Sequence, residues 1–107
     1  MSKFPFFVDE NSNYMRISKS VFYKLTYNDY YKGGMWIVLY NETNDRDLVR
    51  WRILTKNSFT FFSFNAVFQI DLKDGQTHNE ISIFLEAEGS IFAGSIHASF
   101  YIKYLHP

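Results

Sequence analysis

The chain has 107 residues, no cysteine, and eleven basic side chains balanced by eleven acidic ones. That length suits one domain spanning residues 1–107, because two domains would each be too small to bury an adequate core without cross-links. The missing cysteines exclude a disulfide framework and a thiolate zinc site and favour a reducing compartment. Zero formal charge removes the broad positive field that drives phosphate binding, so nucleic acid is not an expected partner.

Phe4 to Val8 is the first apolar stretch, and it reads as a short strand. Two acids follow it, and it is too short for a signal peptide or a membrane span. The expectation is therefore a chain not exported by that route, cytoplasmic or virion-associated. Tyr14 to Ser18 reads as a second short strand. Next, Val21, Tyr23, Leu25 and Tyr27 alternate like a strand, while Ile17, Val21 and Leu25 also recur at helical spacing. β-branched and aromatic residues such as Val21, Phe22, Tyr23 and Thr26 favour the strand, being mediocre helix formers.

Gly33-Gly34 marks the entrance to a hairpin: Met35 to Tyr40, a polar loop from Asn41 to Asp47, then Leu48 to Thr55. In its second arm Val49, Trp51 and Ile53 lie opposite Arg50 and Arg52. The clearest strand runs from Phe59 to Leu72, with Thr60, Phe62, Phe64, Ala66, Phe68, Ile70 and Leu72 on one face. Lys73-Asp74-Gly75-Gln76 supplies a turn, and Ile81, Ile83, Leu85 and Ala87 give the core face of the next strand. Glu88-Gly89 closes it. After Gly94, Ile96, Ala98, Phe100, Ile102 and Tyr104 form the inward row of a last strand, with His97, Ser99, Tyr101 and Lys103 outward. Seven or eight short strands separated by turn signals predict an all-β, antiparallel β-sandwich, best matched by a jelly roll. No internal repeat, low-complexity segment or linker interrupts it.

Candidate chemistry is sparse. The oxygen-rich loop from Asn41 to Asp47, with Glu42, Asp45 and Asp47, has the donor types that calcium prefers but neither the spacing nor the glycine of an EF-hand, and a solvated hairpin loop explains it equally. Asn41-Glu42-Thr43 matches the glycosylation acceptor pattern, which has force only in a secreted protein. His78, His97 and His106 share no metal-ligand spacing and read as surface histidines. Glu80 and Glu86, on one strand face, read as solubilising rather than as a catalytic pair. With no catalytic or phosphate-binding motif, the chain is expected not to be an enzyme and to need no cofactor or metal.

Aromatic content is the unusual number: 12 Phe, 8 Tyr and 2 Trp make up 21% of the residues, more than a small core needs. Trp36, Tyr40, Trp51, Tyr27, Tyr30 and Tyr31 gather around the predicted hairpin. A lectin-like site of Trp36, Tyr40, Arg50, Trp51 and Arg52 is one reading, since aromatic faces stack on sugar rings and paired arginines grip carboxylates or sulfates. The alternatives are that Trp51 is core, that Trp36 lies in a subunit contact, and that the two arginines pair with Asp45 and Asp47. Phe59, Phe61, Phe84 and Tyr101 fall on faces that alternation turns away from the core, so they are the candidate oligomer interface.

The stretch Ser58-Phe59-Thr60-Phe61-Phe62-Ser63-Phe64-Asn65-Ala66-Val67, the Ile81-Ser82-Ile83-Phe84-Leu85 strand ending at Glu88-Gly89, and the small-residue segment from Ala93 to Ser99 together resemble the later strands of C1q/TNF-type jelly-roll domains. The resemblance covers under half of the chain; the first half carries no matching motif, and the domain is short for that family. It implies a trimer built around a hydrophobic axis, with Phe59, Phe61 and Tyr101 as axis candidates, in a family whose members serve as receptor ligands, spore-surface heads and viral or phage spike domains. The expected function is a homo-oligomeric assembly or recognition module, such as a virion, phage or appendage structural protein. A lectin-like glycan-binding module and a small cytosolic immunity or inhibitor protein are the alternatives, so another copy of the chain, a glycan or another protein is the expected partner.

Overall fold

A computed structural model describes residues 6–9, 14–55, 58–92 and 99–105. They contain nine strands and no helix: β1 (Phe6–Asp9), β2 (Tyr14–Ile17), β3 (Phe22–Tyr31), β4 (Gly34–Asn41), β5 (Arg46–Leu54), β6 (Thr60–Gln69), β7 (Asn79–Ala87), β8 (Ser90–Phe92) and β9 (Ser99–Tyr104). Each of the eight expected runs contains a strand, the run from Phe59 to Leu72 only over Thr60–Gln69, and residues 14–31 hold no helix; Phe4 of the first run lies outside the described residues. Their branched and aromatic side chains fit a pleated, half-buried surface better than a helix. The additional β8 folds back onto β7 through Glu88 and Gly89, both with positive φ (52° and 79°). Ile96, His97 and Ala98 of the expected last strand lie outside the described residues.

Two antiparallel sheets form. The larger runs β1-β2-β7-β4-β5, with β8 also on β7; the smaller runs β6-β3-β9. β2 and β8 share one edge of β7, pairing with Asn79 to Ser82 and with Leu85 to Ala87. The path β2-β7-β4-β5 facing β9-β3-β6 is the winding of a jelly roll. In that winding the first strand flanks the last, whereas here β1 pairs with β2.

Alternation builds the core between the sheets. Met15, Ile17, Met35, Ile37, Leu39, Ile81 and Leu85 come from the larger sheet, and Tyr23, Leu25, Tyr27, Phe64, Phe68 and Ile102 from the smaller, all buried in one cluster. Each aliphatic side chain so buried stabilises the fold by about 1.5–3 kcal/mol relative to exposure. Gly33, at φ 86°, makes the tight link from β3 to β4, and its carbonyl accepts from the Thr55 hydroxyl (2.7 Å) and amide (3.2 Å). No helix among the described residues is long and apolar enough to cross a membrane.

Candidate interaction surfaces

The outer face of the smaller sheet is set by the register of β6, β3 and β9. Phe61 lies opposite Tyr30, Ser63 opposite Asn28, Asn65 opposite Thr26 and Val67 opposite Lys24. Tyr30 stacks on Phe59 (5.6 Å between centroids, 15° between planes), with the Lys32 ammonium over the same Phe59 ring at 5.3 Å. Phe59 is 53% exposed and Phe61 62%. Both therefore face solvent, as the alternation predicts. A polar belt crosses the middle of the face: Ser63 donates to Asn28 (2.7 Å), Asn28 to Ser99 (3.5 Å), and Thr26 to Asn65 (2.9 Å). Tyr101, also exposed, stands opposite Thr26, so this belt separates it from Phe61.

Phe84 does not join that group. It lies on β7, in the other sheet, half-buried and tilted against Tyr40 (6.3 Å). With Trp36 and Tyr40 it surrounds Val38, which faces outward by register yet is 0% exposed. The larger sheet thus carries a second, small apolar cluster on its outer side. Arg50 forms an ion pair with Glu86 at 2.7 Å and a longer one with Asp47 at 3.8 Å. The hydrogen bond to Glu86 raises the Arg50 pKa, and the same bond lowers that of the Glu86 carboxyl. The Arg50 and Arg52 guanidiniums lie 4.9 Å and 5.6 Å from the Trp36 ring centroid.

Of the five lectin-like candidates, Trp36, Tyr40, Arg50 and Arg52 share this face, but Trp51 does not. It points to the opposite side of β5, paired by register with inward Ile37. Nor is it core: β5 is an edge strand, and Trp51 is 56% exposed, tilted on Phe64 at 5.8 Å where β5 approaches β6. Of the tyrosines expected around the hairpin, Tyr27 is buried.

Three buried polar residues escaped the sequence reading. Asp29 is fully buried; its carboxylate accepts from the Tyr27 hydroxyl (2.6 Å) and the Tyr30 amide (2.7 Å). Burial, then the bond and charge of Asp29, push the Tyr27 hydroxyl far above its ordinary range. Burial and the same carboxylate raise the Tyr31 hydroxyl. At the opposite end of the sandwich, Asn41 and Asn79 are buried and anchor an amide network. Asn41 donates to Asn79 (3.1 Å), Asn79 to Gln76 (3.1 Å), Gln76 to Asn44 (2.8 Å), and the Asn44 amide N–H returns to Asn41 (3.0 Å). All three residues extend an alternating apolar row by one step: Tyr23-Leu25-Tyr27 to Asp29, Ile37-Leu39 to Asn41, and Leu85-Ile83-Ile81 back to Asn79. That extension is the signal that could have found them.

The network also decides what the loop after β4 does. Glu42 accepts from Ser82 (2.7 Å) and Thr43 from the Glu80 amide (2.8 Å), so with Asn41 and Asn44 four of its oxygen-bearing side chains already serve internal donors. Asn41, at 2% exposure, is no glycan acceptor in the folded chain. Beside the loop an open cleft of about 180 Å³ is lined by Asn41, Asn44, Arg46, Leu48, Gln69, Asp71 and Lys73. Among the described residues no three acidic or histidine side chains converge as a metal site. Glu80 pairs with Arg16 (3.6 Å) and lies 3.8 Å from His78. His97 and His106 lie outside the described residues.

In comparison with known proteins, no family model matches the chain and no curated protein matches it as a relative.

Proposed function

We propose that the chain is a non-enzymatic, homo-oligomeric assembly or recognition module, of the kind that builds a virion, phage tail or surface appendage. The supporting observation is the patch of Tyr30, Phe59 and Phe61, three neighbouring aromatic residues exposed on a sheet face. A contiguous aromatic patch on a chain without net charge favours association. In a trimer of the C1q/TNF kind, Phe59 and Phe61 would be the contact residues and Tyr101 would stand apart from them. The lectin-like reading has less support, since two guanidiniums lie against the Trp36 ring on which a sugar would stack and Trp51 points away from it.

Light scattering of the purified chain tests the proposal: the expected result is a stable oligomer. The double variant Phe59→Ser/Phe61→Ser is expected to stay folded and to run as a smaller species that has lost the contact through this face. A monomeric unmodified chain would overturn the assembly reading and favour an inhibitor-like protein.

A further inference from the structure

The two sheets differ in width. Among the described residues five strands lie abreast in the larger and three in the smaller. β6 lies at the β5 flank, where Trp51 meets Phe64, so the difference of two strands falls at the opposite flank. At about 4.8 Å per strand it makes a step of roughly 10 Å. There the larger sheet overhangs and the smaller stops at β9. Among the described residues β1 pairs only with β2 and β9 only with β3, so each leaves an open edge on this flank. Phe100, in the inner row of β9, is 38% exposed, whereas Ile102, next in the same row, is fully buried. The jelly-roll winding puts a strand beside β9 at this place.

We infer that a second copy of the chain closes this flank by strand addition, the β1 edge of each copy lying against the β9 edge of the other. The directions permit it. β3 and β4 reverse through Gly33, β9 is antiparallel to β3, and the ladder from β4 through β7 and β2 leaves β1 antiparallel to β9. A twofold axis parallel to the strands preserves these directions while exchanging the two layers. The overhang of one copy then enters the recess of the other, and both layers become continuous eight-stranded sheets. Such a step is self-complementary, which an isologous contact requires. Main-chain hydrogen bonds along the paired edges supply the attraction. The occupant is a second copy because one twofold rotation seats the overhang of each copy in the recess of the other and uses all four open edges at once. This inference rests on the assembly reading but uses a different surface from Phe59 and Phe61.

Cross-linking tests it directly, since the chain has no cysteine of its own. Phe7→Cys on β1, in register with Arg16, and Tyr101→Cys on β9, in register with Thr26, are placed in differently tagged, co-expressed copies and treated with a short bis-maleimide. The expected product carries both tags at twice the chain mass. It is lost when Val67→Cys on β6 replaces Tyr101→Cys. Lys103→Cys, on the same side of β9, serves if Tyr101→Cys fails to fold. An oligomer that yields no product with both tags, or that links Phe7→Cys only to itself, overturns this contact and leaves the assembly reading standing. A monomer on light scattering overturns both.

Discussion

The two ends of the sandwich solve the same problem in opposite ways. Where β4 ends and β7 begins, the chain buries Asn41 and Asn79 and satisfies them with each other, with Asn44 and with Gln76. Where β3 ends and β6 begins, it leaves Tyr30, Phe59 and Phe61 in solvent, above the buried Tyr27–Asp29 pair. Buried amides in a closed ring join two loops without needing a partner, because the side chains donate to and accept from one another inside the chain. Exposed aromatics do little for the isolated fold and much for a contact. Substitution at the polar end should therefore show up as lost stability, and at the aromatic end as lost assembly.

The largest expected effect is at the polar end. Asn79→Leu leaves the Asn41 amide without its acceptor and takes from the Gln76 carbonyl one of its two donors, the other being the Lys73 amide, and should lower the stability measured by urea denaturation by roughly 2–4 kcal/mol. An unchanged midpoint would erase the contrast between the ends. Beneath the aromatic patch, Tyr27→Phe withdraws the hydroxyl from the buried Asp29 carboxylate and should cost about 1–3 kcal/mol in the same assay. Alkaline pH probes the core between the ends. Burial, with the neighbouring Tyr104, pushes the Tyr23 hydroxyl up to about 12 from 10.0. A raised folded-state value means that ionisation is easier in the unfolded chain. The melting temperature should hold below about pH 10 and fall as pH rises towards 12.

At a protein concentration low enough for both chains to be monomeric, Phe59→Ser/Phe61→Ser should change the unfolding free energy by no more than about 0.5 kcal/mol, while at higher concentration it removes the contact made through that face. A comparable loss of stability would make the patch part of the fold rather than a contact. The smallest effect is expected from Arg50→Ala, whose ion pair with Glu86 is exposed. The destabilisation should be slight and should shrink further in high salt.

Most strands were legible because their inner rows are long: Phe62 to Phe68 in β6 and Ile81 to Leu85 in β7 repeat at period two without a break. The outward direction of Phe59 and Phe61 follows from the β6 row, and that of Tyr101 from the alternating row of Phe100, Ile102 and Tyr104 in β9. Which strands pair was not legible, since alternation within a strand says nothing about its neighbours. For that reason Phe84 was grouped with Phe59 although it lies in the other sheet, and Trp51 with Trp36 although they face opposite sides. Exposure at an edge was hidden too: Trp51 sits in an inner row but belongs to β5, which among the described residues has a neighbour on one side only. The buried Asp29, Asn41 and Asn79 were missed because a polar residue at a strand end reads as the start of a loop.

The place of β3 in the smaller sheet also governs how the molecule can form. Its two ladders join Tyr23 to Phe68 on one side and to Tyr104 on the other, partners far along the chain. Such a high contact order delays folding, because loop-closure entropy must be met before the pairs reward it. β9 leaves the ribosome after the other described strands, so during synthesis β3 has one edge without its native neighbour. A nascent chain should therefore complete its larger sheet before its smaller one, and stalling translation before Ser99 would expose the edge most prone to pairing with the wrong chain.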